Sequence, residues 1–181
     1  EWTYLAELIG LTAVVAAQPV LDVVGDAPDA FITRGAGAGL IVVYALLVGL
    51  GPPLGLWLLE QPARLGGRWL RDGVHAGLLG MGIGVFVMAA AKAALGGDTR
   101  PWLVLVGLVV AFGAAVLVFR SRTVRSVFRF LALALPVFLA LFLFASPVSD
   151  LVVGGGVEPA EVEVRNPAPV VLIVLDELPL L

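Results

Sequence analysis

The sequence predicts an all-α fold: a five-helix transmembrane bundle, followed by an extracytoplasmic linker and the first strand of a truncated α/β domain. Three observations carry this expectation. Of the 181 residues, 60% are hydrophobic and 14% charged, with a mean hydropathy of +1.06, a composition that few soluble domains have. The apolar residues fall into five segments, each near the roughly 20 helical residues that cross a hydrocarbon core. After the fifth segment the composition changes abruptly to glycine, acid and proline.

The spans are expected at 4–24, 36–59, 74–95, 101–119 and 130–148. The loops between them are short, so neighbouring helices should run antiparallel. Arginine placement orients them. Loop 60–73 holds Arg64, Arg68 and Arg71, and loop 120–129 holds Arg120, Arg122, Arg125 and Arg129. In the alternate loops Arg34 stands against Asp26 and Asp29, and Arg100 against Asp98. Positive charge stays inside, which places the N-terminus in the cytoplasm and everything after the fifth span outside a plasma membrane. Trp2, Trp57, Trp69 and Trp102 fall near span ends or in the arginine-rich loop, as an interfacial belt requires; ligand stacking is the other use for them.

The first span carries the most polar residues. Gln18 and Asp22 are four apart and share a face, and Pro19 between them removes a backbone hydrogen bond and predicts a kink. An ionisable residue in a span is a functional hypothesis by default; the bland reading puts Asp22 in interfacial water, with Glu7 interfacial at the other end. In the third span Gly73, Gly77, Gly80 and Gly84 share a face, which predicts close approach of another helix. His75 lies near the cytoplasmic end of that span as an interfacial or hydrogen-bonded residue, and Lys92 can snorkel near the outer end. The fifth span is rich in phenylalanine, and Pro136 predicts a kink in it. The arginines before it (Arg120, Arg122, Arg125 and Arg129) serve either as a topology signal alone or as a site for anionic lipid head groups.

The chain divides into a membrane domain at 1–153, a linker at 154–168 and the opening of a further domain at 169–181. Gly154, Gly155 and Gly156 make a flexible joint, and Pro167 and Pro169 exclude helix. Residues 170–175 are six aliphatic residues, four of them Val or Ile, which favours a strand buried on both faces as in a parallel sheet. Asp176 and Glu177 follow at its carboxyl end, where ligands of such sheets sit. Two adjacent acids there suit a hard divalent metal. The chain is expected to be part of a longer protein, inactive without the rest. It has no cysteine and one histidine, which excludes disulfides, thiolate metal sites and sites built from several histidines.

The string 168–179, Ala-Pro-Val-Val-Leu-Ile-Val-Leu-Asp-Glu-Leu-Pro, resembles the opening strand of sulfatases and other members of the alkaline phosphatase superfamily. Lipoteichoic acid synthases and phosphoethanolamine transferases of that superfamily also carry a five-helix membrane domain before an extracytoplasmic catalytic domain. Actinobacterial membrane sulfatase-like proteins look most similar, with a Gln-Pro-aliphatic-aliphatic-Asp pattern in the first helix like that of residues 18–22. The resemblance implies that Asp176 is a ligand to a divalent metal ion (Ca, Mn, Mg or Zn). Glu177 stands where sulfatases have a second Asp, one methylene longer. The synthase pattern has Glu followed by Ser or Thr there and fits less closely. The nucleophile would lie beyond Leu181.

The expected function is therefore the membrane-anchoring region of a metal-dependent hydrolase or transferase acting on phosphate or sulfate esters outside the cell. The lipid bilayer is its expected partner, and no nucleic acid is. The competing reading is a non-enzymatic small transporter or membrane scaffold, for which midplane polar residues or broken helices would be required.

Overall fold

A computed structural model describes residues 2–96 and 101–154, and the described residues form helices and turns with no strand among them. The first rod is α1 (Trp2–Thr12), a π-helical turn (Ala13–Ala17) and α2 (Gln18–Gly25) in direct succession. The π turn ends immediately before Gln18-Pro19, and proline explains it. Pro19 has no N–H to donate to the turn before it, and its ring would collide with the carbonyl of Val15 in a regular α-helix. Widening that turn relieves the clash. The short α3 (Asp29–Ile32) leads to α4 (Ala38–Glu60), a 3-10 turn (Gln61–Gly66) and α5 (Gly67–Ala94). Gly67 takes φ +86°, a left-handed conformation that glycine alone adopts without cost, and there the chain turns back on itself.

The remaining helices are α6 (Pro101–Arg120), α7 (Arg122–Leu131), α8 (Ala134–Phe144) and α9 (Ser149–Val153). Ser121 caps α7: its side-chain oxygen accepts from the Val124 N–H at 3.4 Å, an N-cap geometry. Residues 122–129, expected as loop, are thus helical. Likewise α5 begins at Gly67 rather than at residue 74. In both places hydropathy marks where the apolar run starts, whereas the helix starts earlier, in an amphipathic turn. Pro136 acts as expected but more strongly: the ladder breaks at Ala132–Leu133, leaving α7 and α8 as separate helices.

Among the described residues, four helical stretches are long and apolar enough to cross a membrane: Trp2–Gly25, Ala38–Ala94, Pro101–Arg120 and Arg122–Phe144. The expected second and third spans are joined into the 57-residue stretch, because the loop between them is itself helical. Large apolar side chains point outward along these helices, among them Leu47, Leu105, Val109 and Phe112. Such exposure over whole helices suits hydrocarbon rather than water.

Two cores hold the bundle. Leu8, Leu11, Leu79, Val118 and Phe128 join α1, α5, α6 and α7. Ala13, Leu21, Ile41, Leu135 and Phe142 join the first rod to α4 and α8. The α5–α6 contact is an antiparallel seam of small residues. A Cβ added at Gly80 would run into the Ala111 carbonyl, and one at Gly84 would meet Gly107 and Ala111. Of the four glycines expected on one packed face, only these two are in the seam; Gly73 and Gly77 have nothing within 4 Å of an added Cβ. The partner strip on α6, Gly107, Ala111 and Ala115, repeats at the spacing of four that close helix pairs use.

Candidate functional site

The sites read from the sequence fall in different places. Asp176 and Glu177 lie outside the described residues. Gln18 and Asp22 do share a face and line a cleft of about 330 Å³ with Asp26, Phe138 and Ser146. Asp22 is exposed in that cleft, in keeping with an interfacial carboxylate. Among the described residues no group of three or more His, Cys, Asp or Glu could hold a metal ion.

The densest chemistry is elsewhere, at the arginine-rich end. Four helix termini converge there: the starts of α1, α5 and α7 and the end of α4. Glu7, fully buried, enters from α1. Its Oε2 accepts from His75 Nε2 at 2.9 Å and from Arg125 Nε at 2.9 Å. Its Oε1 accepts from Arg129 Nε at 2.8 Å and lies 2.7 Å from the same guanidinium's Nη2. Glu60, the last residue of α4, is 1% exposed. Its Oε2 meets His75 Nδ1 at 3.0 Å and its Oε1 accepts from Arg71 Nε at 3.2 Å. His75 therefore bridges two carboxylates through both ring nitrogens. An ionised carboxylate can only accept, so with Glu7 and Glu60 both ionised the ring donates twice and is an imidazolium.

Tyr4 closes the cluster. Its hydroxyl donates to Asp72 Oδ1, and its ring meets His75 edge-on, with centroids 4.7 Å apart. The Arg71 and Arg125 guanidinium carbons stand 4.1 and 4.9 Å from the Tyr4 ring centroid, close enough for cation–π attraction. Local spacing builds this arrangement. Glu7 and Gly10 are three apart on α1, and Arg125, Phe128 and Arg129 face them from α7. A Cβ at Gly10 would strike the Phe128 carbonyl. The absence of a side chain there lets the helices approach until both arginines reach Glu7.

Every oxygen of Glu7 and Glu60 already has a donor, and none is aimed at a cavity. The two buried carboxylates thus offer no free base; they tie four helices together. Buried charges are costly unless fully paired, and these are paired. Arg125 and Arg129, which the sequence offers as topology signal or lipid ligands, both pair with Glu7, while Arg120 and Arg122 stay exposed. Glu7, expected at the interface, is in the core. His75 is hydrogen-bonded, as one of the two readings has it. A signal for the cluster does exist in the sequence. Once consecutive spans alternate in direction, Glu7, Glu60, His75, Arg125 and Arg129 fall at one depth, with opposite charges facing.

The tryptophans divide similarly. Trp2, Trp69 and Trp102 are exposed at helix ends, whereas Trp57 is half-buried, with the Arg64 guanidinium 5.6 Å from its ring centroid. The chain matches no family model, no curated protein and no solved structure.

Proposed function

We propose that the chain is the membrane-anchoring region of an extracytoplasmic, metal-dependent sulfatase-like enzyme that hydrolyses or transfers phosphate or sulfate esters. The observation that carries the anchoring role is the distribution of charge. Every Asp, Glu, Lys, Arg and His among the described residues lies near one end of the helices or the other. The first band comprises Glu7, Glu60, the arginines from Arg64 to Arg71, Asp72, His75 and the arginines from Arg120 to Arg129; the second holds Asp22, Asp26, Asp29, Arg34, Lys92 and Asp150. The middle of each helix is left apolar. A solute path across the membrane would need polar groups there, so an anchor fits better than a transporter.

The same bands support five crossings. A straight 57-residue helix would run about 85 Å at about 1.5 Å per residue, against a hydrocarbon core of about 30 Å. The charges at 60–75 sit midway along it, at the Gly67 turn. Two antiparallel crossings, α4 and α5, account for both facts. With the arginine-rich band in the cytoplasm, the chain after α9 would continue on the outer side, where the sulfatase-like sequence 168–179 would belong to the catalytic domain. Asp176, with Glu177 beside it, would hold the divalent metal, which when bound supplies charge stabilisation to the attacked ester. Arg120 and Arg122 are exposed to meet anionic head groups of the inner leaflet.

Membranes carrying the full gene product should hydrolyse nitrophenyl phosphate or sulfate esters presented from the outside, and EDTA should abolish that turnover. Absence of any esterase activity in well-folded, metal-loaded protein would reject the enzyme reading. The Glu7–His75–Glu60 chain is the one feature that favours the competing class, since proton-coupled transporters place such groups in their spans. Proton uptake by proteoliposomes carrying this chain alone would establish that reading instead.

A further inference from the structure

His75 of α5 joins Glu7 of α1 to Glu60 of α4. Its Nε2 stands 2.9 Å from Glu7 Oε2 and its Nδ1 3.0 Å from Glu60 Oε2. All three residues are buried, so solvent does not stand in for a missing donor. A neutral imidazole has one N–H and one bare lone pair. It serves either carboxylate but not both, and the other would face a lone pair across a buried contact, which is costly. The groups around the ring do not remove this conflict. From α1, Tyr4 packs edge-on against the ring and donates its hydroxyl to Asp72 of α5. Arg71 of α5 is spent on Glu60 Oε1. From α7, Arg125 and Arg129 reach Glu7, and Arg125 also stands 3.7 Å from Asp72. Arg64 of the 3-10 turn lies over Trp57. The arginines thus hold α7 to α1 through Glu7 and α5 to α4 through Glu60. The second ring proton, beside the Asp72 contacts, holds these two pairs of helices to each other.

We propose that His75 is a proton-operated tie: with a proton on each ring nitrogen it binds α1 to α4, and loss of one proton lets the arginine-rich ends of these helices separate. The direction follows from counting protons. In an unfolded chain an imidazole gives up its second proton at about pH 6.5. The folded arrangement needs that proton, so above this pH folding takes one up, and stability falls as pH rises. The tie contributes in full below about pH 6.5, and its contribution shrinks with rising pH until the folded ring is neutral as well. The bundle is thereby responsive to pH at its arginine-rich end. The tie needs only the described helices and does not rest on the enzyme reading.

The sequence has one histidine, so NMR of the chain in detergent, made with isotope-labelled histidine, reads His75 alone. At about pH 8, where a free imidazole is neutral, both ring nitrogens should still carry a proton. The unfolding midpoint should fall with rising pH by roughly 3–5 °C per pH unit, the slope of one extra proton bound by the folded state. Spin labels on Trp2→Cys and Leu59→Cys, both at exposed positions, should move apart at the pH where the ring becomes neutral. Glu60→Gln supplies a neutral amide that donates to Nδ1, so a neutral ring keeps both contacts. In that variant the pH slope and the label movement should vanish with the fold intact. A neutral ring at about pH 8 in the folded wild type, with the proton on Glu60 instead, would overturn the proposal. So would labels that stay in place as the ring titrates, or a slope unchanged in Glu60→Gln. Should Glu60→Gln fail to fold, the ring NMR and the labels in the otherwise wild-type chain decide the matter.

Discussion

Glu7 shows how much one side chain can organise. It sits one turn after Tyr4, and three cationic or potentially cationic partners from two other helices converge on its two oxygens. Removing it leaves His75 with Glu60 as its one carboxylate and Arg125 with Asp72, at 3.7 Å, and the Tyr4 ring. Glu7→Ala should therefore destabilise the chain by about 3–5 kcal/mol, the range for breaking a buried ion pair from one side. Thermal unfolding in detergent, followed by tryptophan fluorescence, checks this. Asp22→Ala, at an exposed carboxylate in the opposite cleft, should change stability by no more than about 0.5 kcal/mol. Sequence alone separates these two residues poorly. Both are single acids near the ends of one apolar run, and nothing local says which will be paired. Partners on distant helices decide it, and only an assumed helix order brings them into view.

At the scale of elements, glycines carry the clearest contrast. Gly80 and Gly77 lie three apart on α5 and look equivalent in a helical projection. Gly80 abuts the backbone of α6 at Ala111, whereas Gly77 faces open space. Gly80→Leu should cost about 1–3 kcal/mol through overpacking. Gly77→Leu should be neutral or slightly stabilising, since leucine is the better helix former. Unfolding midpoints of the two variants, measured side by side, test the seam. The glycine repeat is legible in the sequence, but which half of it packs depends on where the α6 strip Gly107, Ala111 and Ala115 comes to lie. The prolines are legible too, yet their effects differ. Pro19 is absorbed by a π turn with the rod intact, while Pro136 ends a helix.

Over the whole molecule, the apolar, helical character is written in the composition, and the helix positions are readable from hydropathy to within an amphipathic turn. The arginine-rich segments 60–73 and 120–129 resemble loops in sequence but are largely helical, because helical residues that pair charges inside a bundle are themselves polar. The topology has a direct test, helped by the complete lack of cysteine. Single cysteines at Ser121 and Val157 should label with opposite accessibility in intact cells, Val157 from outside and Ser121 only after permeabilisation. Labelling of both from outside would refute the five-crossing arrangement.

The central claim is that this bundle anchors a metal enzyme whose first ligand is Asp176. The measurement that tests it is metal content, paired with ester turnover, in the full-length protein and in its Asp176→Ala variant. A buried strand would hold that carboxylate rigidly at the sheet edge, where it needs a cation to offset its desolvation. Bound divalent metal and turnover are predicted in the wild type, with both lost in Asp176→Ala while membrane insertion is unchanged. Equal metal content and equal turnover in the two proteins would contradict the claim.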